Sequence, residues 1–167
     1  RILSLHAQQG GLEEDVMRFQ IERTVAAHFA KLKNLKDIGV KVLSLFFIDK
    51  VANYRGFDAE GNSVPGKFAE WFEEAFNKYC SKSQYKGLIP HAASAVTAGY
   101  FSGDKKGKGA AAKTIWVDTK GNVAKDDSTY ALIMQQKERL LSTAEPLQFI
   151  FSHSALREGW DNPNVFH

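Results

Sequence analysis

Val40–Ile48 reads VKVLSLFFI, and this run decides the fold class. Its β-branched and aromatic side chains favour a strand, and its near-continuous apolarity predicts one covered on both faces, as in a parallel sheet between helices. The flanking residues supply the covers. Upstream, Leu12, Val16 and Phe19, then Val25, Phe29 and Leu32, recur at helical spacing and predict a helix, or two short ones, from Glu13 to about Lys36. Gly10–Gly11 reads as the break before it and Gly39 as its stop, with Lys33 and Lys36 in the final turns, where positive charge suits the free carbonyls. Glu14, Arg18, Glu22 and Lys33 fall on the other face and read as solvated surface. Downstream, Asp49–Gly61 is polar and glycine-containing. Pro65 then precedes FAEWFEEAFNKY, where Phe68, Trp71, Phe72, Ala75, Phe76 and Tyr79 form a broad apolar stripe for a helix covering the sheet.

Farther along, Ser94–Thr97 is a candidate short strand leading into Gly99-Tyr100-Phe101. From 102 to 127 the periodicity collapses, and Gly103, Gly107, Gly109 and Gly121 punctuate the stretch. It reads as an irregular insertion outside the core, with a small hairpin around Thr114–Val117 and Gly121–Val123. Ser128 or Thr129 is placed to cap a helix over Tyr130–Leu141, Pro146 closes that element, and Leu147–Phe151 is a compact apolar strand. Helix, strand, helix, strand, insertion, helix, strand: this order predicts an open α/β domain with a mostly parallel sheet, flanking helices and right-handed crossovers.

The 167 residues suffice for one domain with a core that needs no metal or disulfide staple. The single cysteine, Cys80, excludes an internal disulfide and agrees with a reducing compartment. The longest apolar run, Val42–Ile48, is far shorter than the roughly 20 residues that span a bilayer. Arg1–Leu5 gives way to His6, Gln8 and Gln9 rather than to a secretory apolar stretch, so a cytoplasmic location is expected. A net charge of +3 permits a polyanionic partner without pointing to one.

No GxxxxGK[ST] loop is present, so the backbone nest and lysine that hold a triphosphate are missing. GDKKGKG, Gly103–Gly109, resembles such a loop in composition alone: no convincing strand precedes it, and no Ser or Thr follows its lysines. Its simplest reading is a basic surface loop; the functional one brings Lys105, Lys106 and Lys108 to a phosphate backbone. No cysteine and histidine group has metal-site spacing, and His91 and His153 lie far apart. Cys80 reads as a partly buried small hydrophobe rather than a nucleophile. Ser152, His153, Ser154 and Asp161 hold the letters of a hydrolytic triad without its G-x-S-x-G elbow.

The densest polar chemistry is FSHSALREGWDNPNVF, Phe151–Phe166. It leaves a buried strand, which places it outside a sheet's carboxyl edge, where open α/β folds bind ligands. Ser152 and Ser154 supply hydroxyls, Arg157 a guanidinium fork, Gly159 an unobstructed backbone, and Asp161 a charged acceptor between Trp160 and Asn162-Pro163. The same residues suit a structural role: a helix cap at Ser154, a turn at Asp161–Pro163 and a core-packed Trp160. Physical chemistry alone leaves both readings open.

Ile150–Phe166, IFSHSALREGWDNPNVF, resembles motif V of the restriction (Res) subunits of Type III restriction-modification enzymes. Superfamily 2 helicases share its outline: a strand, a Ser or Thr, then Gly-x-Asp near a proline. Further blocks resemble that family in order and spacing: TVAAHFAKLKNLKDIGVKVL at Thr24–Leu43, KVLSLFFIDKVANYRG at Lys41–Gly56, GYFSGDKKGKG at Gly99–Gly109, and DDSTYALIMQQKERLLSTAEPLQF at Asp126–Phe149. The resemblance covers nearly the whole chain. It implies that residues 1–167 are a partial second RecA-like motor domain, from the motif IV region through motif V, with an insertion at 102–127.

By the same resemblance, Ser152 and Ser154 serve strand-backbone contact and coupling, while Gly159 and Asp161 lie at the nucleotide-facing cleft between ATP and DNA. Arg157 contacts either ligand or braces the loop, and Phe47 to Asp49 flank the DNA-facing edge. One departure is Thr97-Ala98-Gly99: related helicases often carry a histidine two residues before the glycine. The resemblance also implies that Walker A and a DEAD-like Walker B belong to a preceding motor domain. Motif VI and an endonuclease domain would follow, so none of these is expected within 1–167. The complete enzyme would be a site-specific deoxyribonuclease, with ATP and Mg2+ between its motor domains and double-stranded DNA as substrate. A methyltransferase (Mod) subunit would recognise the target, and no membrane would be involved. The chain alone is expected to be inactive and to bind no cofactor tightly. Two other readings stay open, a module of another DNA or RNA helicase and a stand-alone nucleic-acid-binding or protein-interaction domain. An adjacent adenine methyltransferase gene and a nuclease region in the same reading frame would favour the first reading over both.

Overall fold

Ile21, Val25, His28, Phe29 and Leu32 follow helical spacing and form the covered face of α1 (Leu5–Leu35) in the computed structural model, which describes residues 5–48, 50–101, 132 and 135–152. α1 stops at Leu35, and a turn over residues 36–39 that closes on Gly39, at φ +73°, leads toward β1 (Ser44–Phe47). A short turn at Val51–Asn53 leads into an antiparallel hairpin, β2 (Arg55–Phe57) and β3 (Ser63–Pro65). Then come α2 (Lys67–Cys80), a single helical turn α3 (Ala93–Val96), and β4 (Thr97–Tyr100). A second helical turn, α4 (Lys137–Leu140), and β5 (Phe149–Ser152) complete the described elements.

Among the described residues the main sheet has the order β1-β5-β4, and both pairings are parallel. The architecture is thus a mixed α/β fold with a RecA-like open parallel sheet. All four β5 residues are buried, as a central strand between two covered faces requires. Phe149 and Phe151 face the α1–α2 layer with Phe46, Phe72 and Phe76. Ile150 faces the other way, packing with Leu43, Ala98, Leu132, Leu140 and Leu147. The Phe149 ring lies 4.8 Å from Phe72, edge to face, and 4.1 Å from the tilted His28 ring, so the sheet's centre is an aromatic cluster.

Two buried polar side chains pin this layer at the amino edge. His28 bonds Ser44 Oγ through Nδ1 at 2.8 Å and Gln148 Oε1 through Nε2 at 2.9 Å. Because an amide oxygen only accepts, Nε2 carries the proton and Nδ1 accepts from the Ser44 hydroxyl. Burial, with Lys41 and Lys31 nearby, lowers the His28 pKa to about 4, against the raising pull of the Gln148 bond. Lys41 donates to the carbonyls of Ser142 and Glu145, holding the turn after α4, and burial lowers its pKa to about 8. Outside the core, Glu14–Lys67, Arg18–Glu74 and Glu22–Lys78 form ion pairs in the same order along α1 and α2. Exposed pairs contribute little stability, but their spacing fixes how the two helices lie side by side.

Several expectations change. The helix does not wait for a break at Gly10–Gly11; it begins at Leu5 and runs through both glycines. Leu12, Val16 and Phe19 are 68%, 46% and 62% exposed, because at 3.6 residues per turn they lie roughly opposite the Ile21–Val25–His28–Leu32 face. Their helical period was real but belonged to a second stripe. Ser94–Thr97 is not a strand: Ala93–Val96 forms a helical turn, as alanine favours, and pairing starts at Thr97. The polar stretch after β1 holds the β2–β3 hairpin, which begins within Asp49–Gly61. Of the expected Tyr130–Leu141 helix, Leu132 and Gln135 lie in π-helical turns and Lys137–Leu140 is α-helical, with Gln136, at φ −119° and ψ 46°, off the helical path between them; residues 130, 131, 133 and 134 lie outside the described residues. The pairing strands are Ser44–Phe47, inside Val40–Ile48, and Phe149–Ser152, which starts two residues after and ends one residue beyond Leu147–Phe151. The insertion at 102–127 lies outside the described residues.

Candidate functional site at the carboxyl edge

Parallel pairing gathers the carboxyl ends of β1, β5 and β4 at one edge. In register, Ser152 stands between Phe47 of β1 and Tyr100 of β4. The Ser152 carbonyl accepts the Ile48 N–H at 2.9 Å, carrying the pairing one residue beyond β1. Ser152 is 1% exposed, so its immediate work is to fix the strand end rather than to meet solvent.

Next to this row sits an aromatic cluster. The Tyr54 ring lies 4.7 Å from Phe151 and 5.6 Å from Phe101, and the Arg55 guanidinium stands 5.5 Å over the Phe101 ring. On the hairpin's turn, Asp58 accepts from the backbone N–H groups of Glu60 and Asn62 and from Asn62 Nδ2. Those bonds, the Asn62 side chain first, hold the Asp58 carboxyl below its ordinary range. On the β1 side a cleft of about 840 Å³ opens, with Arg23, Phe47, Lys50, Asn53 and Lys67 among its walls. Glu13 and Glu14 share it, so its charge is mixed and singles out no anionic ligand.

Among the sequence-read site residues, the structure brings Ser152 and Phe47 together at this edge. Ser154, Arg157, Gly159 and Asp161 lie outside the described residues, as do Asp49, Lys105, Lys106 and Lys108. Among the described residues no group of three His, Cys, Asp or Glu side chains could hold a metal ion, and no helix is long and apolar enough to cross a membrane. Burial pushes the Cys80 thiol up, the opposite of nucleophile activation. Thr97 has its Oγ1 buried without a hydrogen-bond partner among the described residues. It lies at the start of β4, at the opposite end of that strand from the carboxyl edge.

Tyr54 and its hairpin were missed, although a signal existed. Asp58, Gly61 and Asn62 between short runs containing Phe57 and Val64 are turn chemistry for a hairpin.

Comparison with characterised proteins points one way. The chain is 34% identical over 163 residues to the Type III restriction-modification enzyme EcoP15I Res subunit of Escherichia coli, a match covering 93% of this chain and 15% of that protein. It is 36% identical over 137 residues to the EcoPI Res subunit of Escherichia phage P1, covering 76% of this chain and 12% of that one. It is 32% identical over 148 residues to the StyLTI Res subunit of Salmonella typhimurium strain LT2, covering 76% and 13%. No family model and no solved structure matches. The chain is therefore homologous to Res subunits over most of its own length, while spanning about 15% of the first of these relatives.

Proposed function

We propose that this chain is the second RecA-like motor domain of a Type III restriction subunit, and that the carboxyl edge at Ser152 couples ATP use to movement or switching on double-stranded DNA. The observation that carries this reading is the parallel β1-β5-β4 sheet, whose central strand ends with Ser152 at the edge where open α/β sheets bind ligands, in a chain homologous to Res subunits. Walker A, Walker B, motif VI and the nuclease belong to other parts of the polypeptide in this reading, and 102–127 is an insertion in the motor domain.

The chain's own residues divide the work. β5 holds Ser152 in place, and Ser154 offers a hydroxyl to the strand backbone. Asp161 supplies a carboxylate acceptor at the cleft shared with the preceding motor domain, and the guanidinium fork of Arg157 contacts either ligand or braces the loop. ATP with Mg2+ supplies the phosphoanhydride bond whose hydrolysis drives the motor. Preorganised donors and charges of this kind stabilise phosphoryl transfer only when both halves of the cleft are assembled. The partners proposed are double-stranded DNA and a methyltransferase (Mod) subunit, and the proposed location is the cytoplasm.

If Phe47, Asp49, Lys105, Lys106 and Lys108 meet DNA, the contacts are directed to its backbone. Binding by the chain should then be weak and indifferent to sequence. Its log–log salt slope should be about −2 to −3, as three lysine–phosphate contacts would give. Titration of labelled duplexes at several salt concentrations checks this. Tight binding to one sequence with a flat salt response would reject backbone-directed contact.

A further inference from the structure

Tyr54 is wedged between the exit of β1 and the ends of β4 and β5. A β-carbon at Gly99 would stand 2.6 Å from Tyr54 Cε1, so glycine is what lets the ring approach β4. Gly99 is paired in register with Phe151, one residue before Ser152, and the Tyr54 ring lies 4.7 Å from the Phe151 ring. The hairpin's own base is locked as well. Gly66 N–H donates to the Tyr54 carbonyl at 2.8 Å, and a β-carbon at Gly66 would stand 2.5 Å from the Asn53 carbonyl carbon. Arg55 then caps the Phe101 ring. A hairpin that merely joined β1 to α2 would need none of these contacts with the strand ends.

We propose that the β2–β3 hairpin is a brace for the sheet's carboxyl edge, and that Tyr54 is a positioning residue holding Phe151, and through it Ser152, in the arrangement that couples ATP to DNA. The inference rests on the motor reading and deepens it. Tyr54 acts through β5, so losing the ring loosens the end of that strand and the bond from Ile48 N–H to the Ser152 carbonyl.

The test uses the complete restriction polypeptide with its methyltransferase, carrying Tyr54→Phe, Tyr54→Leu or Gly99→Ala. Hydrogen exchange in peptides containing Ile48 and Ser152 reads the brace whether or not the protein is a motor; DNA-stimulated ATP hydrolysis reads its use. Tyr54→Leu and Gly99→Ala should each speed local exchange about tenfold, leaving α2 peptides at the wild-type rate. They should also lower the DNA-stimulated kcat about tenfold at an unchanged KM for ATP. Tyr54→Phe, which keeps the ring, should restore both. If one of the two disruptive variants fails to fold, the other decides. Wild-type exchange at Ile48 and Ser152 in a folded disruptive variant overturns the brace. Faster exchange with unchanged kcat overturns the positioning role. A wild-type polypeptide without DNA-stimulated hydrolysis overturns the motor reading, and with it the positioning role, while exchange still decides the brace.

Discussion

In the complete enzyme, Asp161→Asn should lower ATP-coupled DNA cleavage by about one to two orders of magnitude while leaving the fold intact. Asp161 follows the buried end of β5 in sequence, and in the proposed motor its carboxylate stands at the cleft between ATP and DNA. The exchange keeps side-chain size but removes the charge and turns a two-oxygen acceptor into a mixed donor and acceptor. A charge-assisted hydrogen bond made only in the productive state is worth roughly 1.5–3 kcal/mol, which sets the size of the rate loss. If Asp161 were only a turn former before Asn162-Pro163, asparagine would serve nearly as well there and activity would survive. ATPase and cleavage rates measured beside thermal unfolding separate the cases. Unchanged rates at matched stability would remove Asp161 from the coupling path. A lower unfolding temperature with parallel loss of activity would make it a structural residue.

A second large effect is expected in acid. His28 is held neutral in the fold, with a pKa near 4 against an ordinary 6.5, and burial is the main cause. Between those values the unfolded chain takes up a proton that the native imidazole refuses, so stability falls as pH falls. Above 6.5 neither state is protonated at this site and the penalty is absent; below 4 it is complete, at about 3 kcal/mol as an upper bound. Denaturant unfolding of wild type and His28→Gln across this window isolates the contribution from that of the carboxylates. The variant should lose the extra slope between pH 6.5 and 4. Parallel pH profiles would show that His28 is not the acid-sensitive pin between α1, Ser44 and Gln148.

What the sequence disclosed and what it hid follow one rule: local pattern is legible, and partnership across the chain is not. VKVLSLFFI and the Phe68–Tyr79 stripe announced the central layers because burial on both faces, or along one stripe, writes a period into the chain. The α1 stripes misled for the same reason: Leu12, Val16 and Phe19 have a helical period as good as that of Ile21 and Val25, and only tertiary packing chooses between the faces. His28 looks polar until Ser44 and Gln148, 16 and 120 residues away, are seen to satisfy it. Gly99 stands in sequence only as a residue after a candidate strand, whereas in the fold it makes room for the Tyr54 ring. At the candidate site, the polar run after Phe151 was legible as chemistry leaving a buried strand. Its neighbours Phe47 and Tyr100 become a row with Ser152 only through parallel register.

Phosphate release from ATP, with magnesium and saturating duplex DNA, tests the half-motor assignment most directly when the isolated chain is compared with the complete polypeptide. The chain lacks a Walker A nest and lysine, so it should show no enzyme-like turnover, while the complete polypeptide should hydrolyse ATP in response to DNA. Robust turnover that copurifies with the isolated chain, or none from the complete polypeptide, would contradict the assignment.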